Sequence, residues 1–272
     1  MNKIISIYGA FDRFNYGDLL FPIVIRNFLN EHFENLEYRF YGIAESDLSE
    51  FGAVQTMPIR RRFDNALLAG QKEIFIIAGG EVLFANWFFL YQSLNYHLFR
   101  AKIFNKLHKL LGAPVLNYVC NKLLCPKLEI PFVIDQSFLS GCNAIIYNTV
   151  GGSKFKNYNS EKLLKSLYQA KYISVRDKNT QKNITKENQN VQPLLFPDSV
   201  TIVSKYYPYN ILTKMIGSET EKIIKNNKKG YICFQVSSGW FFNNKDIIIK
   251  ELKLLSKDAC LPIVLLPIGR AP

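Results

Sequence analysis

The sequence predicts a doubly wound α/β fold, in which strands and helices alternate around a parallel sheet, and three observations carry that expectation. The chain opens on KIISIYGAF, a β-branched and nearly continuous apolar run of the kind buried on both faces in a parallel sheet. Helical spacing of apolar residues follows such runs repeatedly. The runs themselves end in glycine or polar residues, where the crevice of an open α/β sheet lies.

The first unit is strand, loop, helix. After KIISIYGAF and the turn within FDRFNYGDLLFP, residues Leu20, Ile23, Val24 and Phe28 recur at helical spacing to about Asn30, with Asp18 expected to cap the helix. KEIFIIAGG (72–80) and NAIIYNTVGG (143–152) read as strands ending in glycine pairs. SEKLLKSLYQA (160–170) reads as a helix with Ser160 as N-cap, YISVRD (172–177) as a strand, and DKNTQKNITKE as a helix start that Asp177 and Thr180 cap. QPLLFPDSV (192–200) reads as a short strand and turn.

These elements assign residues 1–205 to a first domain with an insertion at about 85–142, because the chain between Gly80 and Asn143 far exceeds a crossover of about a dozen residues. Residues 206–229 read as a helical linker ending in the basic turn KNNKKG. Residues 230–272 read as the start of a second domain: a strand at GYICFQVS, a helix over 244–259 with Ile248, Leu252 and Leu255 on one face, and a strand at LPIVLLPIG. That stretch is too short for an independent α/β domain, so the second domain is expected to be truncated.

The 272 residues, 48% hydrophobic, can bury a sizeable core. A count of 34 Lys and Arg against 22 Asp and Glu leaves a net charge of +12, which favours anionic partners. The basic runs around Arg60, Arg61 and Arg62 and around Lys225, Lys228 and Lys229 read as solvated loop ends. No nucleic-acid motif accompanies them, so nucleic acid is not an expected partner.

Cys120, Cys125, Cys142, Cys233 and Cys260 form no paired framework and read as reduced, mostly buried thiols. No matching histidine pair suggests zinc, and no metal is expected. His32, His97 and His108 read as surface or packing residues. The N-terminal apolar run is too brief for a signal peptide, which places the protein in the cytoplasm. The aromatic insertion, with Trp87, Phe88, Phe89, Tyr91, Tyr96 and Phe99 beside Arg100, Lys102, Lys106 and Lys109, suits packing against the sheet first. Its second reading is peripheral contact with an anionic membrane at the inner face, and polar interruptions rule out a transmembrane span.

In order along the chain stand N-x-G-D (Asn15, Gly17, Asp18), I-x-x-G-G (Gly79, Gly80), V-G-G (Gly151, Gly152), S-V-R-D-x-x-T (Ser174, Arg176, Asp177, Thr180) and P-D (Pro197, Asp198). No single element is specific, but in this order, over residues 4 to about 269, they resemble the polysaccharide pyruvyl transferase family. The resemblance implies two facing Rossmann-like domains in a GT-B-like arrangement. It implies transfer of the enolpyruvyl group of phosphoenolpyruvate onto two hydroxyls of a sugar, giving a pyruvate ketal and phosphate. Phosphoenolpyruvate is the donor substrate and no cofactor is implied; the acceptor is a sugar or a lipid-linked oligosaccharide, met at the cytoplasmic side of the membrane.

Such a reaction needs anion donors, a general acid and a base. The candidate donors are the N–H groups of Asn15, Tyr16, Gly17 and Asp18, of Gly79 and Gly80, and of Gly151 and Gly152, with the Asn15 side chain and Arg270. Arg176 reads equally as a loop brace or a ligand contact, and Asp18, Glu81 and Asp198 are the carboxylates from which an acid or base would come. Glu81 stands where the family often has a third glycine, and the family's later loop with a histidine and acidic residues is not matched. The competing readings are a nucleotide-sugar glycosyltransferase of the same layout and a non-catalytic remnant or binding module. A nicotinamide enzyme is excluded because no G-x-G-x-x-G follows a strand.

Overall fold

The structure, a computed structural model, describes residues 3–64, 72–83, 85–94, 101–135, 139, 142–152, 160–236 and 238–266. In chain order the elements are β1 (Lys3–Tyr8), α1 (Tyr16–His32), β2 (Leu36–Gly42), β3 (Met57–Pro58), α2 (Ile59–Asp64), β4 (Glu73–Ala78), α3 (Trp87–Leu94) and α4 (Ala101–Leu124). They continue with β5 (Cys142–Val150), α5 (Ser160–Gln169), β6 (Tyr172–Val175), α6 (Lys178–Glu187), β7 (Leu194–Leu195) and α7 (Val203–Tyr206). Last come α8 (Tyr209–Met215), α9 (Ser218–Asn226), β8 (Ile232–Phe234), α10 (Ser238–Ala259) and β9 (Ile263–Leu265). The chain divides into two compact units, one up to Val203 and one from Ser204.

The first unit is a seven-stranded parallel sheet in the order β3-β2-β1-β4-β5-β6-β7. The chain runs outward one way from β1 to β3 and outward the other way from β4 to β7. The order therefore reverses between β1 and β4, the place where open α/β sheets keep their ligands.

Alternation along the strands splits the core into two layers. Ile5 and Ile7 of β1 and Ile76 and Ala78 of β4 pack with Phe21 and Ile25 of α1. Tyr8, Phe75 and Ile77 face the other way, onto a larger cluster that includes Trp87, Leu116, Phe132, Tyr147 and Leu167. Most of the insertion's first aromatic residues pack inward: Trp87 is wholly buried and donates from Nε1 to the Glu129 carbonyl at 2.9 Å, and Phe88 is buried while Phe89 is exposed. Tyr96, Phe99 and Arg100 lie outside the described residues.

One basic run departs from its expected role as a solvated loop end. Arg60 and Arg61 are exposed, but Arg62 is buried and forms an ion pair of 2.6 Å with Glu73, each side chain no more than 3% exposed. Ser6 donates a further hydrogen bond to Glu73. An arginine enters a core when a buried carboxylate meets it, and Glu73 opens the central strand β4.

Cys120, Cys125 and Cys142 are buried, whereas Cys233 and Cys260 are exposed, and all five are free thiols. In the second unit β8 and β9 pair in parallel. α10 breaks at Asn244, after which Ile248 is buried, Leu252 is half-buried and Leu255 is exposed.

Candidate active site

Because the sheet is parallel, Tyr8, Ala78, Val150 and Val175 all end at one edge, and the loops that follow them meet there. The loops of β4 and β5 are clamped together: Gly151 N–H donates to the Gly80 carbonyl at 2.7 Å, and Leu83 N–H to the Gly151 carbonyl at 3.1 Å. The end of β5 is irregular, with Thr149 at φ 48° in a region that β-branched residues rarely enter. Its N–H donates to Ser174 Oγ at 2.9 Å, which holds the end of the strand in place.

These glycines are explained by what approaches them. A Cβ on Gly79 would stand 2.0 Å from the Phe21 ring. One on Gly151 would stand 2.5 Å from Glu81 Oε2 and 2.7 Å from Arg176 Nε, and one on Gly80, at φ 77°, would stand 3.2 Å from Asp18 Oδ1. The N–H of Gly79 bonds the Asn148 carbonyl at 3.0 Å and that of Gly152 bonds Thr180 Oγ1 at 2.8 Å. With Gly151 also engaged, the glycine loops direct three of their four N–H groups into the protein, and close packing of side chains is the use the fold makes of them.

Asn15 takes the N-cap backbone conformation of α1 but makes no side-chain cap. Its Nδ2 instead donates to Asp18 Oδ2 at 2.7 Å, so Asp18 is held by Asn15 rather than spent on the helix start as expected. The first-turn N–H groups of α1, which an α-helix leaves without internal partners, include those of Tyr16, Gly17 and Asp18. Tyr16 and Gly17 are exposed.

Arg176, just beyond β6, joins three loops. Its Nη2 lies 3.0 Å from Glu81 Oε2 and its Nη1 lies 3.2 Å from Asp198 Oδ2. Partial burial works against its charge, but the two carboxylates raise its pKa further above the arginine value. Asp198 also accepts from Val200 N–H at 3.1 Å, capping a 3₁₀ turn over Ser199–Ile202. Asp177 caps α6 as expected, accepting from Thr180 N–H at 2.8 Å and Thr180 Oγ1 at 2.6 Å. Desolvation opposes its ionisation, but the Thr180 bonds hold its carboxyl below the usual range.

Two residues that sequence reasoning left aside complete the cluster. Asp12 is buried and its Oδ2 accepts from the N–H groups of Ile43 and Ala44 at 2.5 and 2.8 Å, tying the loop after β2 to the loop after β1. Gly42 makes room for it, since a Cβ there would stand 2.7 Å from Asp12 Cβ. Arg13 donates from Nε to Asp12 Oδ1 at 2.9 Å. Its Nη2 is buried and forms an ion pair of 2.7 Å with the same oxygen. The signal was present in the sequence as two charged residues directly after an apolar strand.

Asp18 is the electrostatic centre of the group. Burial pushes its carboxyl pKa up, and this outweighs the opposing pull of Arg13, the Asn15 hydrogen bond and Arg176, while Asp12 adds to the rise. A carboxyl of raised pKa thus sits within electrostatic reach of two guanidinium groups. His32 is in the last turn of α1, the end opposite Asn15, with Nδ1 2.8 Å from the Phe28 carbonyl; His108 stacks on Phe88 at 5.7 Å. His97 and Arg270 lie outside the described residues. Among the described residues, no three His, Cys, Asp or Glu side chains gather as a metal site.

Comparison with curated proteins and with solved structures finds no match to either. The model of the polysaccharide pyruvyl transferase family matches residues 15–272, nearly the whole chain and every motif from Asn15 onward. The chain belongs to the polysaccharide pyruvyl transferase family.

Proposed function

We propose that this protein transfers the enolpyruvyl group of phosphoenolpyruvate onto two hydroxyls of a sugar, within a GT-B-like pair of Rossmann-like domains. The observation that carries the reading is Asp18, a carboxyl of raised pKa next to Gly80 and under the influence of both Arg13 and Arg176. Arg13, held in an ion pair with Asp12, and the first turn of α1 provide positive charge and donors for phosphate and carboxylate, and Arg176 joins them by exchanging a carboxylate partner for substrate.

Asp18 serves as the general acid. An anionic substrate beside it adds like charge, which raises its pKa further and favours the protonated form that the reaction needs. The proton goes to the methylene carbon, and the first sugar hydroxyl adds to the central carbon and returns its own proton to Asp18. The C–O bond to phosphate then breaks, and the second hydroxyl adds, its proton leaving with phosphate. One ketal and one inorganic phosphate result, and Asp18 is again protonated. Glu81 and Asp198, released from Arg176, orient the acceptor hydroxyls.

The acceptor is a sugar or a lipid-linked oligosaccharide at the cytoplasmic face. Incubation with phosphoenolpyruvate labelled at its methyl-forming carbon and a panel of such glycans tests the reading. Phosphate release that depends on acceptor, with label appearing in a ketal methyl group, supports it. Transfer of a sugar from a nucleotide sugar instead would replace it with the glycosyltransferase reading.

A further inference from the structure

Helix α4 is apolar on two faces, and only one of them is packed. Leu116 and Cys120 are buried, and Asn121 Nδ2 fastens the inner side to the carbonyls of Cys125 and Leu128 at 2.9 and 2.5 Å. After a break at Gly112, where φ is 75°, Val115, Tyr118, Val119 and Leu123 recur at one-face spacing on an adjoining, exposed side. Tyr118 is 62% exposed and Leu123 57%, and Leu110, just before the break, is 80% exposed. A soluble helix ordinarily turns charge outward at such positions.

The charges along this stretch of sequence have one sign, and Lys127 is answered from outside it by Asp64 at 2.8 Å. From Val82 to Leu128 the sequence holds no Asp or Glu, whereas Arg100, Lys102, Lys106, Lys109, Lys122 and Lys127 fall within it. Lys106, Lys109 and Lys122 are exposed, and Lys122 Nζ lies 5.2 Å from the centre of the Tyr118 ring. A second copy of the chain would set these lysines against their equivalents with no carboxylate on the helix to answer them. Among the described residues no helix is long and apolar enough to cross a membrane, so the face can lie on a bilayer but α4 does not span one.

We propose that the outer face of α4 docks on an anionic lipid bilayer. Leu110, Val115, Tyr118 and Leu123 enter the headgroup boundary to a depth of about 5–10 Å, and the lysines bind lipid phosphates around them. Tyr118, with an apolar ring and a polar tip, is a residue type that favours this boundary. The inference stands on the helix alone and is independent of the reaction proposed above.

Sedimentation with vesicles tests it. Wild-type protein should sediment with vesicles of phosphatidylcholine and phosphatidylglycerol in equal parts, should stay in solution with phosphatidylcholine alone, and should be released by high salt. Replacing Lys106, Lys109 and Lys122 together with Gln should weaken partitioning by about 100-fold. Replacing Val115, Tyr118 and Leu123 with Ser should abolish it with no loss of thermal stability, because these side chains are exposed. The proposal is overturned if wild-type protein ignores the anionic vesicles, if it binds neutral ones equally, or if both variants bind as wild type does. It is also overturned if wild-type protein is a dimer that the Ser variant converts to monomer while neither form binds vesicles.

Discussion

Arg176 and Glu81, 95 residues apart in sequence, are joined by an ion pair of 3.0 Å that links the loop after β6 to the loop after β4. The pair passes over Gly151, whose missing Cβ leaves room for both side chains. Position, not strength, is its contribution: with side chains 31% and 43% exposed, such a pair stabilises a fold by about 0–1 kcal/mol.

Arg176→Ala should therefore separate binding from folding. Affinity for phosphoenolpyruvate is expected to fall by about 10–100-fold through loss of charge-assisted hydrogen bonds, while the unfolding midpoint moves little. Arg176→Lys, which keeps the charge but not the fork, should recover only part of the affinity. Titration calorimetry and thermal unfolding of the same preparations check both halves.

Asp18→Asn should remove activity and leave stability intact. The native carboxyl holds its proton to a higher pH than the unfolded one, chiefly through burial. Stability contributed at this site therefore falls as pH rises from the unfolded pKa through the native one and is level above. The Asn variant carries no charge to desolvate, so at neutral pH it should unfold no earlier than wild type. Its turnover should drop by about 10²–10⁴-fold, and the pH–rate limb that reports Asp18 should vanish.

Gly79→Ala should destabilise the fold by about 1–3 kcal/mol, since its Cβ would meet the Phe21 ring at 2.0 Å in a packed layer. A second change, Phe21→Leu, removes the ring atoms in the way and should recover part of the loss. Denaturant midpoints of the single and double variants measure this, and equal midpoints would refute the packing explanation.

The buried pair of Arg62 and Glu73 should behave differently from the exposed one. Glu73→Ala leaves a buried guanidinium unpaired and should cost about 3–5 kcal/mol. Replacing the group together, as Ser6→Ala, Arg62→Met and Glu73→Leu, should restore most of that stability. Urea unfolding should rank the triple variant above the single one.

The parallel sheet was legible because β1, β4 and β5 are continuous apolar runs whose meaning is local. Arg62 was not, because its burial depends on a carboxylate eleven positions on that the fold, not the spacing, brings to it. The glycine pairs were visible, but their reason lies in Phe21, Glu81 and Arg176, which arrive from other elements. Asp12 and Arg13 were given no role of their own between strand and turn, since the backbone groups that bind Asp12 come from Ile43 and Ala44. Composition favoured packing of the aromatic run near Trp87 against the sheet, with membrane contact as the second reading. The structure buries Trp87 and Phe88 and exposes the aliphatic face that begins at Leu110, a difference that helix periodicity alone does not reveal when both faces are apolar.

Isothermal titration with phosphoenolpyruvate is the most direct measurement. Wild-type protein should give saturable heat, Arg13→Ala and Arg176→Ala should each weaken it by about tenfold or more, and a nucleotide sugar should give none. Saturable heat with the nucleotide sugar and none with phosphoenolpyruvate would contradict the assignment of Asp18, Arg13 and Arg176 to a pyruvyl transfer site.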